Sequence, residues 1–120
     1  MRINVYGIKS CDTCRKARKW LEAQGIDAQW TDLREQPPAR ATLEQWLSAV
    51  GAEALVNRRS ATWRGLDEQQ RPALDSPELS ATLLEHPTLI KRPLFERVDE
   101  NHGEFRVGFD DAVRQWLRQG

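Results

Sequence analysis

The stretch RINVYGIKSCDTCRKARKWLEAQGIDAQWT, residues 2–31, decides the fold. From Arg2 to Tyr6 it alternates polar and apolar side chains, with β-branched and aromatic members, and closes at Gly7, the pattern of a short strand. From Asp12 to about Gln24, the apolar residues Ala17, Trp20, Leu21 and Ala23 recur at helical spacing. Arg15, Lys16, Arg18 and Lys19 supply a solvated face, and Gly25 a stop. Ile26 to Thr31 alternates again before Asp32, so a second strand is predicted there, and the intervening helix makes it parallel to the first. The stretch is a βαβ unit, and it holds both cysteines of the chain at its strand-to-helix turn.

Beyond it, Pro37-Pro38 break any regular element. Thr42-Leu43-Glu44-Gln45 has the form of a capping box, ahead of a helical face of Leu43, Trp46, Leu47 and Val50 that ends at Gly51. Ala54 to Arg71 mixes apolar and basic residues without a sustained period. Asp75-Ser76-Pro77-Glu78 reads as a helix start with proline at the first helical position, leading to Leu79, Leu83 and Leu84 and a stop near His86-Pro87. Leu94 to Val98 and Glu104 to Val107 read as two strands joined by the turn-rich Asp99-Glu100-Asn101-His102-Gly103. Asp110 and Asp111 in a first turn, followed by Val113, Trp116 and Leu117 on one face with Phe109, predict a closing amphipathic helix. The order β-α-β, helices, β-β-α predicts an α/β, thioredoxin-like fold. It has a mixed four-stranded sheet, one domain over residues 1–120, and a helical insertion over about 38–87.

Composition narrows the function. Over 120 residues, Lys plus Arg and Asp plus Glu both number 18, so there is no bulk attraction toward nucleic acid or an anionic membrane. No run approaches the ~18 apolar residues of a membrane span, and the first residues lack the apolar core of a signal peptide. A soluble, cytoplasmic, monomeric protein is expected. A disulfide across two intervening residues closes too small a loop to restrain the unfolded chain, so the two cysteines read as chemistry rather than as a staple. Zinc would require roughly two more ligands, and His86 and His102 are not placed as a pair, so no metal and no bound cofactor are expected.

A thiol reacts as its thiolate, and a free cysteine with a pKa near ~8.5 is mostly protonated at neutral pH. Cys11 sits where the loop after the first strand enters the helix, so unpaired amides and the positive end of the helix dipole point at its sulfur. Lys9 and Arg15 lie near enough in sequence to add cationic field. Across Asp12-Thr13, Cys14 falls one helical turn on, where it can resolve a mixed disulfide formed at Cys11. This assigns attack to Cys11 and resolution to Cys14, with Thr13 and Lys9 on the substrate side. Trp20, Trp46 and Trp116 lie on apolar helix faces and read as core, whereas Trp63 follows Arg58-Arg59 in an irregular stretch and is a candidate to line a cleft.

The sequence resembles the arsenate reductase and Spx superfamily, in particular its YffB-like branch, through nearly the whole chain. The resemblance rests on Val5-Tyr6-Gly7 ahead of Cys11, the Ala17-Arg18-Lys19-Trp20-Leu21 helix, Val56-Asn57-Arg58-Arg59-Ser60, and His86-Pro87-Thr88-Leu89-Ile90-Lys91-Arg92-Pro93. It implies that Pro93 is a cis proline beside the nucleophile and that Arg92 reaches the cysteine and its anionic adduct, a role suited to a guanidinium fork. It implies a further arginine at Arg59, with Arg58 as the alternative. A third arginine slot of the arsenate reductases falls on Gly108-Phe109. Each charge-assisted hydrogen bond is worth ~1.5 to 3 kcal/mol, so the missing donor disfavours arsenate. The YffB-like resemblance implies a glutathione-dependent thiol–disulfide reductase acting on an oxidised thiol substrate, with glutathione as co-substrate. The Gly108-Phe109 ending is Spx-like, and that resemblance implies instead a redox-sensitive regulator that binds the C-terminal domain of the RNA polymerase α subunit.

Overall fold

A computed structural model describes residues 2–100 and 102–119, with His102 described by its backbone alone. The chain divides into two compact units, one made of residues 1–36 with 92–120 and the other of residues 37–91.

The first unit is built on a sheet of four strands in the order β2-β1-β3-β4, where β1 is Arg2–Gly7, β2 Gln29–Asp32, β3 Leu94–Asp99 and β4 His102–Val107. β1 pairs parallel with β2 and antiparallel with β3, and β3 and β4 form an antiparallel hairpin. This is the expected thioredoxin-like sheet. Alternation sends Ile3, Val5 and Gly7 of β1 inward. Ile3, Val5 and Phe95 of the sheet form one buried cluster with Ala17 and Leu21 of α1 (Asp12–Ala23) and with Val113, Trp116 and Leu117 of the closing helix Asp111–Arg118. Trp20 and Phe109 pack against this cluster and meet edge to face, with ring centroids 5.6 Å apart. One inward position on β3 carries a charge. Arg97 is only 9% exposed and is sheltered by the Trp116 ring 4.1 Å from its guanidinium and by the Trp116 carbonyl, to which it donates a hydrogen bond.

Three boundaries of this unit differ from the sequence reading. The second strand begins at Gln29 rather than Ile26, because the end of α1 claims the amides before it. Gly25, at φ 68°, donates to the Glu22 carbonyl and Ile26 to the Leu21 carbonyl, a Schellman closure. The hairpin is tighter than expected, since Asp99 already pairs with His102, so His102 begins β4 instead of sitting in the turn; Asn101 lies outside the described residues. Asp110 is the N-cap of the closing helix, its Oδ1 accepting from the Val113 amide at 2.9 Å, and only Asp111 stands in the first turn.

The second unit is helical: α2 (Arg40–Val50), α3 (Ala52–Leu55), α4 (Ala61–Gly65) and α5 (Leu79–Glu85), followed by a 3₁₀ turn at Pro87–Leu89 and, in the first unit, by β3, β4 and α6 (Asp111–Arg118). Leu43, Trp46, Leu55, Leu79, Leu83, Leu89 and Ile90 are buried. Val56 bridges Ile90, and the Asn57 and Lys91 amides donate to the Leu89 and Leu55 carbonyls, each at 2.7 Å.

The capping box is not used. α2 starts at Arg40, before Thr42, with its cap made by Ala39 without a side-chain bond, while an i,i+4 ion pair of 3.2 Å joins Arg40 to Glu44. The helix expected from Pro77 begins at Leu79, because Ser76 Oγ accepts from the Glu78 amide and the Ser76 carbonyl from the Leu79 amide, making a turn of Pro77-Glu78. The stretch without period holds the end of α3 and the whole of α4, helices of about one turn that are too short to display a repeat; Ser60 caps α4 by accepting from the Trp63 amide at 3.1 Å.

Candidate functional site

β1 ends at Gly7, and the chain turns so that the Cys11 amide donates to the Ile8 carbonyl at 3.0 Å. That turn makes Cys11 the N-cap of α1, in extended conformation, with its carbonyl accepting the first helical bond from the Arg15 amide. Its sulfur therefore meets the amides that a helix start leaves unpaired, and the Cys14 amide and thiol both donate to it. Arg92 adds a hydrogen bond and a positive charge. Burial alone would push the Cys11 thiol up, but these donors and the guanidinium outweigh it and hold the thiol below its ordinary value.

Cys14 is the opposite case. It is only 4% exposed, and burial, reinforced by the neighbouring Cys11 sulfur, pushes its thiol up to about 12 against the donor effect of the Ile8 amide. Both cysteines are free thiols. A thiolate at Cys11 beside a protonated donor at Cys14 is the state that this geometry favours, with the proton kept on the buried sulfur.

The fold brings Cys11, Cys14 and Arg92 together. Pro93 follows Arg92 through a cis peptide bond and is buried, and its carbonyl accepts the Gly108 amide at 2.9 Å. Thr13 is exposed on the first turn of α1. Two expected sources of positive field are directed elsewhere: Lys9 Nζ pairs with Glu35 at 2.7 Å, and Arg15 with Asp12. Arg58 and Arg59 are exposed and belong to the helical unit, where the Arg59 amide donates to Asn57 Oδ1 at 3.3 Å. Trp63 is half-buried on α4 in that same unit. Among the described residues no group of three or more His, Cys, Asp or Glu side chains lies together to hold a metal ion, and no helix is long and apolar enough to cross a membrane.

Two contributors were not singled out from sequence. A Cβ on Gly7 would lie 2.7 Å from Cys14 Sγ, so only glycine lets the strand end pass the buried thiol. The signal for it was a strand closing in glycine just ahead of the cysteine pair. Asp32, at the end of β2, accepts the Lys9, Arg34 and Glu35 amides and so ties the loop that carries Cys11 to the neighbouring strand. Burial would raise its carboxyl, and these three donors hold it below the usual value.

Known proteins resemble the chain over nearly its whole length. The model of the ArsC family matches residues 6–115. An uncharacterized protein of Haemophilus influenzae is 42% identical over 113 residues, 94% of this chain and 96% of its own. The global transcriptional regulator Spx 2 of Oceanobacillus iheyensis is 32% identical over 120 residues, 98% of this chain and 84% of its own. Among solved structures, the YffB protein superposes with a TM-score of 0.80 at 33% identity, over 96% of this chain and 97% of that one.

Proposed function

Because the chain belongs to the ArsC family, we propose that it is a cytoplasmic, monomeric thiol–disulfide reductase that takes glutathione as co-substrate and Cys11 as nucleophile. The observation that carries the reading is the convergence of Arg92, the Cys14 amide and the Cys14 thiol on the Cys11 sulfur, which lowers the cost of forming its thiolate. The thiolate attacks the glutathionyl sulfur of a mixed disulfide, the substrate leaves as its thiol, and a glutathione adduct remains on Cys11. A second glutathione then attacks that adduct, releases oxidised glutathione and restores the Cys11 thiolate. Cys14, held protonated, acts chiefly as donor in this monothiol route; where it resolves the adduct itself, a Cys11–Cys14 disulfide results. Arg92 receives the anionic end of the tripeptide, with Lys9, Thr13 and Pro93 as the remaining substrate-side residues of the same unit.

The test is glutathione-coupled turnover of a small mixed disulfide, with arsenate as a parallel substrate and Cys11→Ser as control. Turnover of the disulfide that is lost in Cys11→Ser supports the reading, and no turnover of either compound overturns it. A second reading is favoured by the identity to Spx 2 over nearly the whole chain: a redox-sensitive regulator that binds the C-terminal domain of the RNA polymerase α subunit. Binding of that domain in one redox state only, without turnover, selects it.

A further inference from the structure

α1 carries its cations on two flanks that differ in how they are compensated. On one, Arg15 pairs with Asp12, and Arg18 lies 4.0 Å from Glu22 and 5.2 Å from the Trp30 ring centroid. On the other, Lys16 and Lys19 are exposed, and among the described residues no carboxylate pairs with either. Arg118, in the last turn of α6, is exposed and free of a carboxylate in the same sense, and its guanidinium lies 5.2 Å from the Trp20 ring centroid.

Two half-buried rings join these cations into one surface. Trp20 stands four residues beyond Lys16 and so on the same face of α1. It meets Phe109 at 5.6 Å between centroids, and the Arg114 guanidinium lies 4.7 Å from the Phe109 centroid. Asp111 offsets Arg114, which leaves Lys16, Lys19 and Arg118 uncompensated around an aromatic floor. The surface runs into the nucleophile from both helices. Cys11 caps α1. Gly108, at φ 89°, donates to the Pro93 carbonyl and thereby ties the residue before Phe109 to the segment that supplies Arg92, the partner of Cys11.

We propose that this face of α1 and α6 docks an acidic, extended segment of a protein substrate and so selects which protein cysteine is delivered to Cys11. The proposal rests on the reductase reading above and names the class of its oxidised substrate, a protein cysteine in mixed disulfide with glutathione. Along α1, Lys16 and Lys19 stand about 8 and 12 Å beyond Cys11, the reach of about two and four residues of extended chain. Alternate side chains of such a chain point the same way, so carboxylates at those two positions face the two lysines together, while the apolar parts of the segment lie on Trp20 and Phe109. The chemistry is that of the small substrate: the Cys11 thiolate bonds to the glutathionyl sulfur, the disulfide bond breaks, and the protein cysteine departs with the electron pair and takes up a proton.

Charge favours a protein over a nucleic acid as the occupant. Duplex DNA presents a phosphate about every 1.7 Å, which asks for a long basic track, whereas the uncompensated cations here form a short cluster. The chain as a whole has 18 cationic and 18 acidic residues and no net field to gather a polyanion. A pair of carboxylates beside a reactive sulfur matches what the cluster offers.

The experiment uses the full chain and synthetic peptides of about ten residues, each with one cysteine held as its glutathione mixed disulfide and with Glu, Gln or Lys about two and four residues from it on either side. A small glutathione mixed disulfide without a peptide is turned over in parallel. The Glu peptide should exceed the Gln peptide about tenfold in kcat/KM, chiefly through KM, and the advantage should shrink severalfold in 0.5 M salt. Lys16→Glu combined with Lys19→Glu should invert the order in favour of the Lys peptide while leaving turnover of the small disulfide within about twofold, and Arg118→Gln should reduce the preference severalfold. Equal kcat/KM for the three peptides, a preference that survives in the double variant, or duplex DNA that competes with the Glu peptide at lower concentration than an acidic peptide lacking cysteine overturns the proposal. Any of these results with turnover of the small disulfide intact leaves the reductase reading standing; no turnover of either kind of substrate overturns both together.

Discussion

Cys11 and Cys14 stand three residues apart on one turn of helix, and the molecule treats them in opposite ways. The mouth of that turn is a half-open N-cap that gathers donors and a guanidinium around its sulfur, while the floor is a packed contact with a strand end that has no side chain to spare. Two identical side chains become a nucleophile and a proton holder through surroundings alone. The lesson is that a CxxC spacing specifies which sulfurs meet, and the backbone around each specifies what it does.

The largest effect expected from breaking this contrast is at the mouth. Cys11→Ser should reduce turnover of a mixed disulfide to the uncatalysed rate of thiol exchange, whereas Cys14→Ser should keep part of the activity because glutathione can resolve the adduct; equal and complete loss in both would point to an obligatory dithiol cycle. Next is the cation. Arg92→Gln removes a charge-assisted hydrogen bond of about 1.5 to 3 kcal/mol, roughly a ten- to hundredfold loss in kcat/KM. With Arg92 gone, the rise of activity with pH should move to higher pH, and an unmoved pH–rate profile would show that the helix start alone sustains the thiolate. At the floor, Gly7→Ala forces a Cβ against the Cys14 sulfur, and overpacking of this kind costs about 1 to 3 kcal/mol; denaturant unfolding should read that loss, and the double variant Gly7→Ala with Cys14→Ala should recover most of it.

The smallest effect is a slope. A free thiol at 9.0 gives up its proton well before Cys14, which holds its own to about 12 in the folded chain. The unfolded chain therefore binds fewer protons across that window, and folded stability falls as pH rises through it. Tyr6, moved from 10.0 to about 12 by burial and by Glu96, adds to the same decline. Cys11, held low, works the other way, and its contribution is lost as pH falls through its folded value. Cys14→Ser should flatten the alkaline loss without abolishing it, as read by unfolding titrations between pH 8 and 11.

Period-bearing elements were legible from sequence. β1, α1 and the closing helix each show the repeat of their type over enough residues to be seen, and the cysteine pair at a strand-to-helix turn led directly to Cys11, Cys14 and, through family resemblance, Arg92. Elsewhere, non-local bonds override local pattern. Residues 26–28 alternate like a strand, but the Ile26 amide is spent on the end of α1. Lys9 looks like a cation for Cys11 until Glu35, 26 residues away, takes it. Arg97 occupies an inward position because an aromatic ring and a carbonyl of a helix 19 residues on receive it, a shelter that no local window reveals. The two short helices of the second unit lack a full repeat to read.

The central seam of the sheet has a consequence for the chain as it is made. β1 is synthesised first, yet its antiparallel partner comes some ninety residues later, as the Asn4–Glu96 bond across a separation of 92 records. Contacts this distant in sequence form late, and during synthesis the edge of β1 that will meet β3 has no partner to pair with. Residue 92 emerges in the same late segment. A nascent chain thus carries Cys11 through some eighty further residues of synthesis without the guanidinium that helps to draw out its thiolate.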